Sequence, residues 1–71
     1  MKPFNIDLVK SGTPVITREG KPARVICTDA KGFFPVIALI DYGLEEAICR
    51  YNINGSAIYN HECSLDLFLN I

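Results

Sequence analysis

The segment KPARVICTDAKGFFPVIALIDYGLEEAICRY, residues 21–51, determines most of the predicted sheet. It contains three segments rich in β-branched and aromatic residues, and two groups of turn-forming residues, Asp29–Gly32 and Tyr42–Glu45, separate them. This pattern predicts three antiparallel strands joined by short reversals. The three strands are expected at Lys21–Thr28, Phe33–Asp41 and Glu46–Asn52.

Two further strands are predicted outside this stretch. Thr13–Arg18 precedes the Glu19-Gly20 turn, and Ser56–Asn60 follows Asn54-Gly55, which is the strongest hairpin signal in the chain. The sequence therefore predicts an all-β fold, a small antiparallel meander of about five strands. We expect the meander to curl into an SH3-like or OB-like roll or barrel, because closure removes the exposed sheet edges. With 71 residues and no internal repeat or linker, residues 1–71 are predicted to form a single small β domain.

The two ends of the chain leave alternatives open. Residues Asn5–Ser11 are compatible with one helical turn closed by Gly12. Leu65–Leu69 fits either a last strand or a short helix capped by Ser64. One short terminal helix is thus compatible with the all-β prediction.

The turn lengths also predict which side chains share a face of the sheet. A four-residue loop sets Thr28 opposite Phe33, and a second one sets Asp41 opposite Glu46. Alternation along the strands then collects an almost wholly apolar set on one face, which we expect to be the core. This set comprises Ala23, Val25, Cys27, Phe34, Val36, Ala38, Ile40, Ala47, Cys49 and Tyr51.

The opposite face mixes apolar and charged residues. In the predicted register, Arg24 and Arg50 lie on either side of Ile37, about 10 Å apart. Because the middle strand is apolar on both faces, we expect at least one apolar terminal segment, beginning near Phe4 or Leu65, to pack on this mixed face.

This mixed face carries the candidate binding site. The candidate residues are Arg24, Arg50, Phe33, Ile37 and Leu39, an apolar strip framed by two guanidinium groups. Such a strip suits an acidic or aromatic protein partner. In the competing interpretation, both arginines lay their stems over apolar neighbours and pair with acids such as Glu46, Asp41 or Asp66.

The charge of the chain argues against nucleic acid as the main partner. Seven Lys and Arg stand against eight Asp and Glu, so the net charge of -1 provides no general attraction to phosphates. Weak binding of single-stranded nucleic acid remains the alternative function, because small β rolls stack bases on aromatic side chains. The available aromatic residues are Phe33, Phe34, Tyr42, Tyr51 and Tyr59.

We find no motif that indicates catalysis. His61 is the single histidine, and no nucleophile elbow or phosphate-binding glycine loop occurs. A zinc site built from His61 and the three cysteines is argued against by geometry, since the predicted register separates Cys27 and Cys49 by about 13 Å. The sequence therefore predicts a protein that is not an enzyme and has no cofactor and no metal site.

Most of the chain resembles a group of small phage proteins. The segments TREGKPARVICTD at 17–29, Lys31-Gly32 and FPVIAL at 34–39 are similar to short uncharacterised proteins of gut Bacteroides-type bacteria and their phages and prophages. The opening KPFN at 2–5 and the LDLF segment at 65–68 resemble theirs too. The resemblance implies a bacterial or phage setting and raises the expectation of an accessory protein that binds another protein. It implies no activity, cofactor or catalytic residue.

The remaining expectations concern location and self-association. An odd number of cysteines, three, without a secretory leader predicts free thiols in a reducing cytoplasm. The longest apolar run, Phe33–Ile40, is too short to span a bilayer as a helix, so we expect no membrane anchor. A thin core and an incompletely closed meander predict a homodimer formed through an edge strand.

Overall fold

A computed structural model describes residues 1–58 and 61–71 of the chain. It contains one helix and six strands in a single antiparallel sheet. The elements are β1 (Lys2–Pro3), α1 (Ile6–Lys10), β2 (Val15–Thr17), β3 (Pro22–Cys27), β4 (Val36–Asp41), β5 (Glu46–Tyr51) and β6 (Leu67–Leu69). The spatial order of the strands is β1-β6-β2-β3-β4-β5. The all-β antiparallel prediction is confirmed, but the sheet is curled and open rather than closed into a barrel, with β1 and β5 at its two edges.

The short helix forms where the sequence predicts a helical turn. Asn5 caps α1, because its Oδ1 accepts hydrogen bonds from the backbone N–H groups of Asp7 and Leu8 at 3.0 and 3.2 Å. The Gly12 N–H closes the other end by donating to the Val9 carbonyl at 3.0 Å. Among the helices of the described residues, none has the length and apolar character needed to cross a membrane.

The C-terminal segment forms a strand, which settles the alternative left open by the sequence. β6 inserts between β1 and β2, with Phe68 opposite both Pro3 and Ile16. Asp66 fixes the approach to this strand, because its carboxylate accepts hydrogen bonds from the Ala57 and Cys63 N–H groups and from Arg18. The two ends of the chain are therefore joined within one sheet.

The register is confirmed for one predicted hairpin and corrected for the other. Asp41 lies opposite Glu46, as the sequence predicts. In the β3–β4 pair, Arg24 lies opposite Leu39, which is two residues away from the predicted position. The reason is a longer loop: β4 begins at Val36 instead of Phe33, and the Ala30 N–H donates to the Pro35 carbonyl at 3.1 Å.

A bulge in β3 also changes the position of one cysteine. The pairing shifts between Val25 and Cys27, so that Cys27 lies opposite Ile37 instead of on the core side with Val25. The Cys27 thiol lies 3.2 Å from Asp29 Oδ1 at an exposed site. The prediction that Cys27 is a core residue is therefore wrong, whereas Cys49 does pack against the core.

The core lies on one side of the sheet, and both terminal segments pack on that side. Its buried apolar residues are Val15, Val36, Ala38, Ile40, Tyr51, Leu67 and Leu69. Phe4, Ile6 and Val9 pack against this cluster. The expectation that a terminal segment covers the mixed face is wrong, because the core side of β4 is wholly apolar and draws the apolar residues of α1 to it.

The prediction of a strand at Ser56–Asn60 is wrong for residues 56–58, which belong to no strand of the sheet. Tyr59 and Asn60 lie outside the described residues. Asn52 closes a turn here, since its Oδ1 accepts from the Asn54 and Ser56 N–H groups at 2.8 and 3.1 Å. The Gly55 carbonyl then accepts from the Leu67 N–H at 2.8 Å. The segment after β5 therefore contacts β6 instead of continuing the meander, and β5 remains an edge strand.

Candidate protein-binding surface

The candidate surface is the side of the sheet that faces away from the core, called here the outer face. Residues that alternate with the core residues along each strand point to it. Its apolar members are Ile16, Phe68, Pro22, Leu39, Ile37 and Ile48, and its charged members are Arg24, Arg50, Asp41 and Glu46. Ile48 is 68% exposed, and Ile26, at the bulge, is 52% exposed. Solvent therefore reaches aliphatic side chains on a face that is usually polar when it is uncovered.

The two predicted arginines reach this face at offset positions. Arg50 lies opposite Ile37, as the sequence predicts. Arg24 lies opposite Leu39, so two residues of β4, about 7 Å at strand rise, separate the positions of the two arginines. The structure thus brings Arg24, Leu39, Ile37 and Arg50 together, with an arginine at each end of a diagonal across the apolar strip.

Arg24 forms a bidentate ion pair on this face. Its Nε and Nη2 donate to the two carboxylate oxygens of Glu46 at 2.9 and 2.8 Å. This hydrogen bonding lowers the pKa of Glu46 below its ordinary value and raises that of Arg24. The competing interpretation, in which Arg24 pairs with an acid such as Glu46, is therefore correct: the charge of Arg24 is used in this ion pair. The pair uses the edge of the guanidinium group, and 64% of the Arg24 side chain remains exposed.

Arg50 is held in a different way. Its Nε and Nη2 donate to the Phe34 carbonyl at 3.3 and 3.2 Å, and its Nη2 also donates to the Lys31 carbonyl at 3.3 Å. Within residues 1–58 and 61–71, Arg50 forms no salt bridge. Arg50 therefore fixes the loop between β3 and β4, and its positive charge is not neutralised by a carboxylate.

Phe33 lies in that loop and not on a strand. It is 92% exposed, so it is among the most exposed large apolar residues described. With Phe34 and Pro35 it forms one wall of an open groove of about 670 Å³, and Ile53 lies on the opposite wall. The candidate residue Phe33 is thus not part of the outer face. It lies next to that face, because Arg50 holds the loop that contains it.

Ile53 is the member of this region that sequence reasoning missed. It belongs to the turn between Asn52 and Gly55, and it is 60% exposed. The available signal was an isoleucine in a tight Asn-Gly turn, where polar residues are usual. Its proximity to Phe34 follows from the packing of two separate loops, which the local pattern does not encode.

Metal-ligating side chains and thiols are dispersed over the described residues. Outside Tyr59 and Asn60, no group of three or more His, Cys, Asp or Glu side chains is placed to hold a metal ion. The three cysteines are free, and they lie apart in the chain, Cys27 in β3, Cys49 in β5 and Cys63 in the loop before β6. The surface instead combines aliphatic side chains with two guanidinium groups whose edges are already hydrogen-bonded.

These features define a class of protein: a small open antiparallel sheet with one packed face and one accessible apolar face framed by arginines. Residues 1–68 match the family described as Haemophilus phage HP1 protein YO09. The chain belongs to this family and is therefore phage-related. No curated protein and no solved structure matches the chain. The Bacteroides-type origin implied by the sequence resemblance is not tested by these comparisons and stays a prediction.

Proposed function

We propose that this protein is a non-catalytic accessory protein of a phage or prophage, acting in the bacterial cytoplasm by binding another protein through its outer face. The observation that carries the proposal is the exposure of Ile48 and Ile26 beside the half-buried Leu39 and Ile37. Contiguous apolar surface of this kind on a small protein typically marks an interaction site. Membership of a phage protein family supports the setting.

The chemistry of the face favours a partner that presents aromatic and aliphatic side chains. The charged residues of the outer face sum to no net charge, because two of them are basic, Arg24 and Arg50, and two are acidic, Asp41 and Glu46. Both guanidinium groups are held by hydrogen bonds along their edges. A guanidinium group held in this way keeps its flat faces available for stacking on an aromatic ring. We therefore assign the partner an aromatic residue next to an apolar segment.

The proposal is tested by affinity capture with matched variants. Leu39→Glu places a charge at the centre of the outer face, and Ile71→Glu places the same charge at the 60% exposed C-terminal residue. Tagged wild-type protein and both variants are added to nuclease-treated extract of cells that carry the phage gene, and bound proteins are identified by mass spectrometry. Thermal unfolding of the three proteins verifies that each one is folded.

The expected result is a defined protein that wild type and Ile71→Glu retain and Leu39→Glu loses. If Leu39→Glu retains the same proteins as wild type, the outer face is not the binding surface. If capture depends on nucleic acid and disappears after nuclease, the alternative function, binding of single-stranded nucleic acid, replaces the proposal. Binding to nucleic acid would also weaken steeply as salt is raised.

A further inference from the structure

We infer that β5 pairs edge to edge with β5 of a second copy of this chain, in one particular register. The inference concerns the edge of the sheet and does not rest on the proposed function of the outer face. β5 is six residues long, contains no proline or bulge, and is exposed along most of its length. An edge strand of this kind is a template for pairing with another strand.

The hairpin fixes which backbone groups of β5 are free. The Tyr42 N–H donates to the Glu45 carbonyl at 2.9 Å at the end of the hairpin. Hydrogen-bonded and non-hydrogen-bonded pairs alternate along an antiparallel ladder. The Tyr42–Glu45 pair is hydrogen-bonded, so every second pair after it is hydrogen-bonded too, and the N–H and C=O groups of Ala47 and Cys49 point towards β4. The N–H and C=O groups of Glu46, Ile48 and Arg50 therefore point to the open edge.

Charge selects one register among those that a two-fold axis permits. Pairing centred on Glu46 or on Arg50 would place like charges opposite each other, which is destabilising. Pairing centred on Ala47 or on Cys49 would place a charged residue opposite Ile48. Pairing centred on Ile48 places Ile48 opposite itself and Glu46 opposite Arg50 of the second copy, twice by symmetry.

That register provides partners for groups that have none within the described part of the single chain. It forms about six backbone hydrogen bonds between the two edges, two at Ile48 and two at each Glu46–Arg50 pair. It places the carboxylate of Glu46 next to Arg50 of the second copy, the guanidinium group that has no acidic partner within the described part of its own chain. It also brings the two Ile48 side chains, each 68% exposed in the single chain, next to each other on the outer face.

The same register has a consequence on the core side of the sheet. Ala47 lies opposite Cys49 of the second copy, as a non-hydrogen-bonded pair with Cα atoms about 4.5 Å apart. This separation lies within the range that a disulfide bond spans. Ala47→Cys is therefore expected to form two symmetric disulfides between Cys49 and the introduced thiol under mild oxidation, identified by peptide mass spectrometry.

The principal test uses charge reversal in two separate chains. In Arg50→Glu, residues 46 and 50 are both acidic, so two such chains repel each other in this register. In Glu46→Arg both positions are basic, with the same effect. A mixture of the two variants restores two complementary pairs. Lys10→Glu, on the exposed face of α1, is the control for the change in net charge.

Analytical ultracentrifugation across a concentration series provides the measurement. Wild type and Lys10→Glu are expected to reach twice the monomer mass of 7.9 kDa, each single variant to stay monomeric, and the mixture to dimerise again. Circular dichroism verifies that the variants are folded. A wild type that is monomeric at every concentration overturns the inference. A dimer that both single variants retain, or a disulfide between two Cys49 residues in wild type, overturns the register.

Discussion

Arg24 and Glu46 form a bidentate ion pair that connects β3 to β5 across β4, the strand between them. The two hydrogen bonds, at 2.9 and 2.8 Å, link strands that share no backbone hydrogen bonds with each other. This pair marks one end of the apolar strip, and Arg50, anchored on the loop between β3 and β4, marks the other. The N–H groups of both guanidinium groups therefore serve to hold the structure together, and the accessible surface between the two arginines is aliphatic.

The ion pair gives the stability of the protein a small dependence on pH. Because Arg24 lowers the pKa of Glu46 below its usual 4.5, the contribution of Glu46 is present at neutral pH and is lost as the pH falls through the lowered value. Solvent exposure of the pair keeps the effect small. We expect the melting temperature of wild type to fall more between about pH 5 and pH 3 than that of Glu46→Gln. Parallel curves for the two proteins would contradict this assignment.

Cys27 in β3 and Cys49 in β5 are predicted to differ in their sensitivity to replacement by serine. Cys49 packs against the core, so Cys49→Ser buries a hydroxyl group next to apolar residues and is expected to destabilise the fold by about 1–3 kcal/mol. Cys27 faces Asp29 at an exposed site, where a serine hydroxyl can donate to the same carboxylate. Urea denaturation of Cys27→Ser is therefore expected to resemble that of wild type. The opposite order of stabilities would place the bulge in β3 elsewhere.

Gly55 is predicted to be the least replaceable glycine. Its φ angle is +83°, and a Cβ atom would lie 2.6 Å from Phe4 Cγ and 3.1 Å from the Leu67 carbonyl oxygen. Gly55→Ala combines a left-handed conformation with a clash and is expected to cost about 2–4 kcal/mol. Gly20→Ala is the control, because its φ is +94° and no atom lies within 4 Å of the new Cβ. Only the conformational cost, about 1–2 kcal/mol, is expected there. Equal losses in thermal unfolding would show that the contact with Phe4 is unimportant.

Asp66 is predicted to hold the C-terminal strand in the sheet. Its side chain accepts from the Ala57 and Cys63 N–H groups at 2.9 and 3.0 Å, and from Arg18 at 3.1 Å. Asp66→Ala leaves two partly buried N–H groups without this acceptor and is expected to cost about 2–4 kcal/mol in urea denaturation. The Arg18 side chain is 38% exposed and adds little to that figure. Asp66→Asn, which keeps one acceptor oxygen, is expected to lose less. Wild-type stability in Asp66→Ala would exclude this role.

The β4–β5 hairpin was predictable because its register is decided locally. Gly43, with a φ angle of +94°, takes the left-handed conformation that a tight reversal requires, and Asp41 Oδ1 accepts the Gly43 N–H at 2.7 Å. Four residues between Asp41 and Glu46 then determine every pair that follows. The placement of Arg50 opposite Ile37 was correct for this reason.

The β3–β4 register and the ends of the sheet depend on contacts between distant parts of the chain. The apolar segment Phe33–Pro35 is typical of a strand, yet Arg50, 16 residues beyond Phe34, holds it as a loop by donating two hydrogen bonds to the Phe34 carbonyl. Because this segment is a loop, Arg24 lies opposite Leu39 and not opposite Ile37, the predicted partner. The insertion of β6 between β1 and β2 likewise pairs residues from opposite ends of the chain, which turn signals and periodicity do not specify.

The affinity of the purified protein for the captured partner shows whether the outer face is the binding surface. Isothermal titration calorimetry of wild type, Leu39→Glu and Ile71→Glu, each at low and high salt, separates an apolar site on the outer face from an electrostatic one. We predict that Ile71→Glu binds with the Kd of wild type, whereas Leu39→Glu raises the Kd by at least about tenfold. Salt is expected to change the wild-type Kd little. Equal Kd values for wild type and Leu39→Glu would contradict the outer face as the binding surface.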